Sequence, residues 1–417
     1  MSKGLFQIFD DVWLLDGVRT PMVDYCGALA GVSPTDLGIK VAREILSRTG
    51  VPAGDVDSVL AGSMAPGDFD HFYVPRHIGL YAGVPLSVPA LLVQRICGTG
   101  FELFRQAGEQ IATGAANVAL LVGTESMSRH PIAAFEHRQG FRLGAPLGFK
   151  DTLWESLNDP AAGISMIQTA ENLARQYGIT RAQVDAFASR SFERAVQAQE
   201  SGWLAGEIVP VGNERFELDG YKARGIRLQG KAPQADRDTH PRLSPPDVLA
   251  KLRTVYPDGV QTSGNSSALT DAAAAAVVAS GAYARGRKDR PLARVLAAAV
   301  VGVPPQVMGI GPAPAIRLLL ERSGLTLGQI ARIEINEAQG AQTLAVQREL
   351  DLDPERLNVH GGAIALGHPL SATGVRLTVT VARQLRETGA RFGIASACVG
   401  GGQGIALLLE NPDATAA

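Results

Sequence analysis

Residues 94–126 read QRICGTGFELFRQAGEQIATGAANVALLVGTES, and this stretch decides how the chain is organised. Helical spacing of apolar residues runs from Gly100 to Gly114, and Asn117–Ser126 reads as a strand. Val56–Ser63, VDSVLAGS, reads as another strand upstream, so the segment has the rhythm of β-α-β units. That rhythm predicts an α/β fold in which helices cover both faces of a sheet.

Working outward, the rhythm lapses from Met127 to about Leu252, where Arg, Gln, Pro and charged residues accumulate around one clear helix, TAENLARQYG (169–178). This stretch reads as an insertion covering one end of a sheet. The run AAAAAVVAS after Asp271 is helix-like. From Pro291 the rhythm returns in ARVLAAAVVG, ARIEINEAQG and RFGIASACVGGGQGIALLLE, so the carboxyl half echoes the amino half, each with a cysteine followed by glycines. SGAYARGRKDRP (280–291) reads as the linker between them. The expected division is residues 1–126 with 253–285 as one half, 127–252 as a lid, and 286–417 as the second half.

Bulk properties narrow the function. A chain of 417 residues exceeds one ordinary core, and 46% hydrophobic residues supply ample buried surface. A net charge of -2 provides no field for nucleic acid. No stretch is long and apolar enough for a membrane span, and no export signal opens the chain. Three cysteines, Cys26, Cys97 and Cys398, make no disulfide framework, and the final ATAA is not a peroxisomal address, so a cytoplasmic, reducing setting is expected.

Four stretches carry chemistry. Cys97 lies just ahead of a helix, where a thiol pKa falls, and Gly98 and Gly100 permit a tight turn; a buried small hydrophobe is the competing reading. His368, in GGAIALGHPLSATG, sits at a strand end on a rigid turn, as a catalyst or a satisfied polar group. SACVGGGQG places Cys398 beside glycines whose N–H groups suit an anion. Asn336, in IEINEAQG, either caps a helix or holds a water against a developing oxyanion. Close paired ligands are missing from the sequence, so no metal site is expected.

Together these motifs resemble the thiolase family, enzymes that make or cleave 3-ketoacyl-CoA thioesters, and the resemblance covers nearly the whole chain. It implies two similar halves, each with a mixed five-stranded sheet, stacked helix, sheet, helix, sheet, helix, with a lid. It implies that Cys97 is the nucleophile, His368 its activator and Cys398 the general acid and base. One oxyanion hole would come from His368 and a water on Asn336, the other from the N–H groups of Cys97 and Gly400. Ser267, in TSGNSS, would touch the pantetheine arm of CoA, and Arg242 the nucleotide end. CoA and acyl-CoA are substrates in this scheme, no cofactor is implied, and a homodimer or homotetramer is expected.

Several positions depart from the family pattern. Ser165 and Ile167 stand where short-chain biosynthetic members usually carry His and Gly, Gln339 where an aromatic is common, His360 where Asn is frequent, and Ser371 where Gly is frequent. These departures favour a broad or degradative 3-ketoacyl-CoA thiolase. The alternatives are an acetoacetyl-CoA synthase, an acyl-CoA binding protein without turnover, and a decarboxylating ketosynthase, against which the second cysteine argues.

Overall fold

The structure is a computed structural model that describes residues 3–231 and 233–414; all but the first residue of the terminal ATAA falls outside them. Strands β1 (Leu5–Ile8) and β2 (Val12–Arg19) open the chain, followed by α1 (Pro34–Thr49), β3 (Ser58–Gly62), α2 (Val74–Tyr81), β4 (Ala90–Val93), α3 (Thr99–Ala112) and β5 (Val118–Ser126). The insertion contributes α4 (Met166–Tyr177) and α5 (Arg181–Glu200), after which β6 (Thr270–Ser280) completes the first half. The second half runs β7 (Ala293–Gly302), α6 (Pro312–Ser323), β8 (Ile330–Ile335), α7 (Gly340–Leu350), α8 (Leu370–Thr388), β9 (Phe392–Val399) and β10 (Gln403–Glu410).

The halves have the same topology. Strands lie in the order β4-β3-β5-β6-β2 in one and β8-β9-β10-β7 in the other. The pairs β3–β4, β3–β5 and β8–β9 are parallel; β5–β6, β6–β2, β9–β10 and β10–β7 are antiparallel. The counterpart of β4 in the second half shrinks to a single parallel bridge between Ile333 and Leu357. The sheets are also continuous, because Leu14 and Trp13 pair with Ala293 and Arg294, while β1 adds itself to β7.

The alanine run corrects the sequence expectation. Ala272–Ala279 is the buried strand β6, hydrogen-bonded to β2 and β5 on its two sides. Alanine is an excellent helix former, but here two neighbouring strands satisfy its backbone and outweigh that small propensity. Its small side chains suit the place: Ala273 and Ala275 join the outer core with α1, and Ala274 and Ala276 join the central core with α3 and α8. The third core covers the far face with α6 and α5. The result is five layers, helix, sheet, helix, sheet, helix.

Two contacts fix the arrangement. In the central layer α3 crosses α8 at glycine: a Cβ on Gly100 would stand 2.5 Å from Val375 N and 2.8 Å from Gly374 Cα. At the insertion, buried Arg19 of β2 is held by Glu207 at 2.7 Å and by Asp238 at 2.6 and 2.8 Å. Burial works to lower the guanidinium pKa, but the two carboxylates hold it above its ordinary value. Gly100→Ala is expected to cost about 1–3 kcal/mol in urea denaturation and to lower turnover with it, because backbone cannot yield as a side chain can. Asp238→Ala, which strips a buried cation of one partner, is expected to cost about 3–5 kcal/mol in the same assay.

Candidate active site

Cys97 is set by a strained turn. After β4 the chain passes through Ile96 at φ 48°, a left-handed conformation rare for a β-branched residue, and enters a short 3₁₀ turn, Ile96–Gly98, that runs into α3. Gly98 then packs against the second half, where a Cβ would stand 2.8 Å from Val399 Cγ2. The glycines after the cysteine thus serve two close approaches, one to β9 and one to α8.

Cys97 is 8% exposed and Cys398, on β9, is fully buried. The thiols are near enough that charge on Cys97 raises the pKa of Cys398, after the larger effect of burial. The N–H groups of Gly400 and of Cys97 itself converge on the Cys97 sulfur. Burial nevertheless outweighs them and pushes the Cys97 thiol up to about 11, with Glu125 adding to the rise. This corrects the expectation of a lowered thiol pKa: the helix start supplies N–H groups, but removing the sulfur from water costs its anion more.

The strand expected before His368 is instead a short helical turn, Ala363–Leu366; His368 lies two residues before α8, and Thr373, on the first turn of that helix, is 2.6 Å from its Nδ1. Asn336 Nδ2 donates to Nε2 at 3.3 Å. This pairing favours the tautomer with the proton on Nδ1, and Nε2 is the acceptor whose lone pair the Asn336 amide takes up at rest. Burial, reinforced by the Arg376 charge, lowers the imidazole pKa to about 3. Among the described residues no hydrogen bond joins His368 to the Cys97 sulfur; Leu370, two residues after His368, belongs to the apolar cluster around Cys97.

Asn336 directly follows β8 and is not a helix cap. That place belongs to Gln339, the residue before α7, whose N–H donates to Gln342 Oε1 at 3.4 Å. Asn336 Oδ1 is buried without a partner among the described residues, as an acceptor that holds a water would be. Ser267 borders the same segments: its N–H donates to Ala338 O at 3.1 Å, and the next residue, Ala268, accepts from His368 N–H at 3.0 Å. Since β6 is a strand, Ser267 caps no helix. Arg242 is not brought to the thiols. It is exposed, stacks over Phe192 at 5.2 Å and bonds the His240 carbonyl at 3.2 Å.

The departures fall in distinct places. Ser165 caps α4 by accepting the Gln168 N–H at 3.1 Å and is 2.7 Å from the Tyr256 hydroxyl. Next to it, Met166 packs with Cys398, Met308 and Ala338 and faces Gly400. His360 is away from the thiols, stacked on Trp203 at 3.7 Å and bonded by Gln384 at 3.1 Å. Sequence reasoning missed Glu337, whose buried carboxylate accepts Ser191 Oγ at 2.7 Å, Asn358 Nδ2 at 2.9 Å and Ile364 N–H at 3.2 Å. It ties helix α5 of the insertion to the turn before His368. Only its place after Asn336 signalled it.

Neutral forms of both groups at rest have a measurable consequence. Because the Cys97 pKa is raised, its thiolate fraction grows only as pH climbs toward that value, and no imidazolium helps near neutrality. Alkylation by iodoacetamide, followed by mass spectrometry, is expected to rise about tenfold per pH unit between pH 7 and 9 without a plateau. A plateau below pH 8 would show a preformed thiolate–imidazolium pair.

Comparison with known proteins accords with this geometry. The thiolase N-terminal domain matches residues 12–282, and the thiolase C-terminal domain matches 289–411. Mitochondrial 3-ketoacyl-CoA thiolase of Mus musculus is 40% identical over 401 residues, covering 96% of this chain and 98% of its own. An acetyl-CoA acetyltransferase of Pseudomonas aeruginosa is 39% identical over 405 residues, covering 96% and 99%. The crystal structure of human mitochondrial 3-ketoacyl-CoA thiolase in complex with CoA superposes with a TM-score of 0.91 at 37% identity, covering 98% of this chain and 99% of that one. The chain belongs to the thiolase family.

Proposed function

We propose that this acyltransferase cleaves 3-ketoacyl-CoA with CoA, reversibly, through an acyl-Cys97 intermediate. The observation that carries the reading is the meeting of two buried thiols, Cys97 and Cys398, from opposite halves of the chain, with the Gly400 N–H aimed at the first of them.

The chemistry starts from neutral groups. Cys97 gives its proton to Nε2 of His368, which exchanges the Asn336 amide for the thiol proton, as the Cys97 sulfur attacks the keto carbon. The apo site leaves that path open to tighten when substrate arrives. The oxyanion formed at this carbon lies where the Cys97 and Gly400 N–H groups converge. The bond between C2 and C3 then breaks, leaving an acyl thioester on Cys97 and an enolate of acetyl-CoA. The enolate oxygen is the charge that His368 and a water on Asn336 are placed to stabilise, and Cys398 supplies the proton that completes acetyl-CoA. In the second half-reaction the Cys398 thiolate takes the proton of an incoming CoA thiol. The CoA sulfur attacks the acyl group, releasing a shortened acyl-CoA, and the Cys97 thiolate recovers its proton from His368. No cofactor enters these steps.

Ser267, beside Ala338 and the His368 turn, is proposed as a contact to the pantetheine arm. Arg242 is proposed only at the outer, nucleotide end, in keeping with its exposed position. Residues 127–252 act as the lid, with Met166 laid over Cys398 and Gly400. A cytoplasmic homodimer or homotetramer completes the proposal. Three free thiols support the reducing compartment. Exposed Phe69, Phe72, Tyr73 and Leu91 around the edge strand β4 support a subunit contact.

Thiolysis kinetics over 3-ketoacyl-CoA substrates of increasing chain length test the reading. Ping-pong kinetics are expected, with no sharp preference for acetoacetyl-CoA. Cys97→Ala is expected to abolish both turnover and the acylated protein mass, and Asn336→Ala to lower kcat by about 10²–10³-fold through loss of one oxyanion donor. Unchanged turnover in Cys97→Ala would remove the mechanism, and a strong preference for acetoacetyl-CoA would move the enzyme to the biosynthetic side.

A further inference from the structure

The side chains packed around Cys97 are apolar: Met127, Leu153 and Leu370, with Met64, Ile96 and Leu269 at their margin. Behind this wall lies Glu125, fully buried at the end of β5. Its carboxylate accepts the Met64 N–H at 3.2 and 3.1 Å, the Ser371 N–H at 3.2 Å and the Ser371 hydroxyl at 2.8 Å. The fastened residues include Met64 of the wall itself, and Ser371 directly follows Leu370. Both Ser371 bonds go to Oε2, and Oε1 faces His130 Nε2 at 3.3 Å.

The His130 side chain is 0% exposed, and its Nδ1 has no partner among the described residues. The same holds for Nδ1 of His71, on the loop that carries Met64, and His71 lies within electrostatic reach of both His130 and Glu125. With Nε2–H donating to the carboxylate, His130 Nδ1 is an acceptor without a partner among the described residues, held by the same Glu125 that fastens Met64 of the apolar cluster around Cys97. A buried polar nitrogen of this kind normally has a partner, and none is supplied by the fold.

We propose that His130 is a specificity-determining residue at the far wall of the acyl site, and that the preferred 3-ketoacyl chain carries a hydroxyl that donates to His130 Nδ1. The proposal rests on the reading that Cys97 takes up the acyl group. A plain alkyl tail leaves Nδ1 unpaired. A carboxylate tail sets a second buried anion close to Glu125, which desolvation and like charge both oppose. A neutral donor meets neither penalty. Ser371 supports the arrangement, because its hydroxyl occupies Oε2 and leaves Oε1 to orient the imidazole.

The test compares kcat/KM for thiolysis of 3-ketohexanoyl-CoA, 6-hydroxy-3-ketohexanoyl-CoA and 3-ketoadipoyl-CoA by the wild-type enzyme, His130→Leu and His130→Asn. The wild type is expected to favour the hydroxylated chain over the plain one by about tenfold, the worth of one buried hydrogen bond, and to favour the carboxylated chain least. The ratio is expected to fall to about one in His130→Leu and to recover in part in His130→Asn, which restores a polar atom. Indifference of the wild type to the hydroxyl, a ratio unchanged in His130→Leu, or first rank for 3-ketoadipoyl-CoA would each overturn the assignment. Should His130→Leu fail to fold, the wild-type ranking and His130→Asn decide it. Turnover of none of the three substrates would instead strike the thiolase reading on which it rests.

Discussion

The contact on which the rest of this structure depends is backbone against backbone. Where α3 crosses α8, Gly100 meets Gly374 and Val375 with no room for a Cβ. One helix begins just after Cys97 and the other just after His368, so the closeness of this crossing sets the reach between thiol and imidazole. A close-packed interior transmits such a constraint without slack. The equivalent topology of the two halves supplies each helix from its own sheet, and the joined sheets hold both in a single central layer.

The site that results is dry, and its dryness decides its resting charges. Desolvation raises both thiols and lowers the imidazole, leaving three neutral groups where water would have allowed a thiolate and an imidazolium. In the proposed reaction the N–H groups aimed at the sulfur serve charge that develops as the bonds change, which is where preorganised donors act most strongly. Neutral resting groups also fit a two-stage exchange, since each proton given up by one thiol or imidazole must be returned before the next turn.

Around this centre the insertion and the carboxyl-terminal turns are pinned by buried carboxylates. Glu207 and Asp238 hold the insertion to β2 through Arg19, Glu337 holds α5 to the segment before His368, and Glu125 fastens Met64 and Ser371 near Cys97. Each carboxylate gathers donors from segments distant in sequence, so that several loops share one anchor. Such anchors set orientation more than net stability, because the desolvation of the charge offsets much of the attraction.

Local pattern was enough to reveal the alternation of strands and helices, the repeated half, the helix around residues 169–178 and the glycine turns at Cys97 and Cys398; before His368 it misread a short helical turn, Ala363–Leu366, as a strand. All of these are properties of neighbouring residues: apolar period, glycine before or after a reactive group, a strand ending at a polar side chain. The alanine run was misread because its propensity is local, whereas its neighbours β2 and β5 lie far away in the chain. Gln339 rather than Asn336 precedes α7, a matter of one turn's geometry that composition does not encode. The thiol pKa went the opposite way from the helix-start argument because burial comes from the other half of the molecule. Glu125, Glu337 and Thr373 carry no motif at all; their partners are separated from them in sequence or defined by a side-chain direction. The chain by itself determined which groups carry chemistry, since that follows from residue type and local spacing. Only the tertiary structure decided their protonation, their partners and their order of contact, since desolvation and long-range hydrogen bonds exist only once distant segments have closed around them.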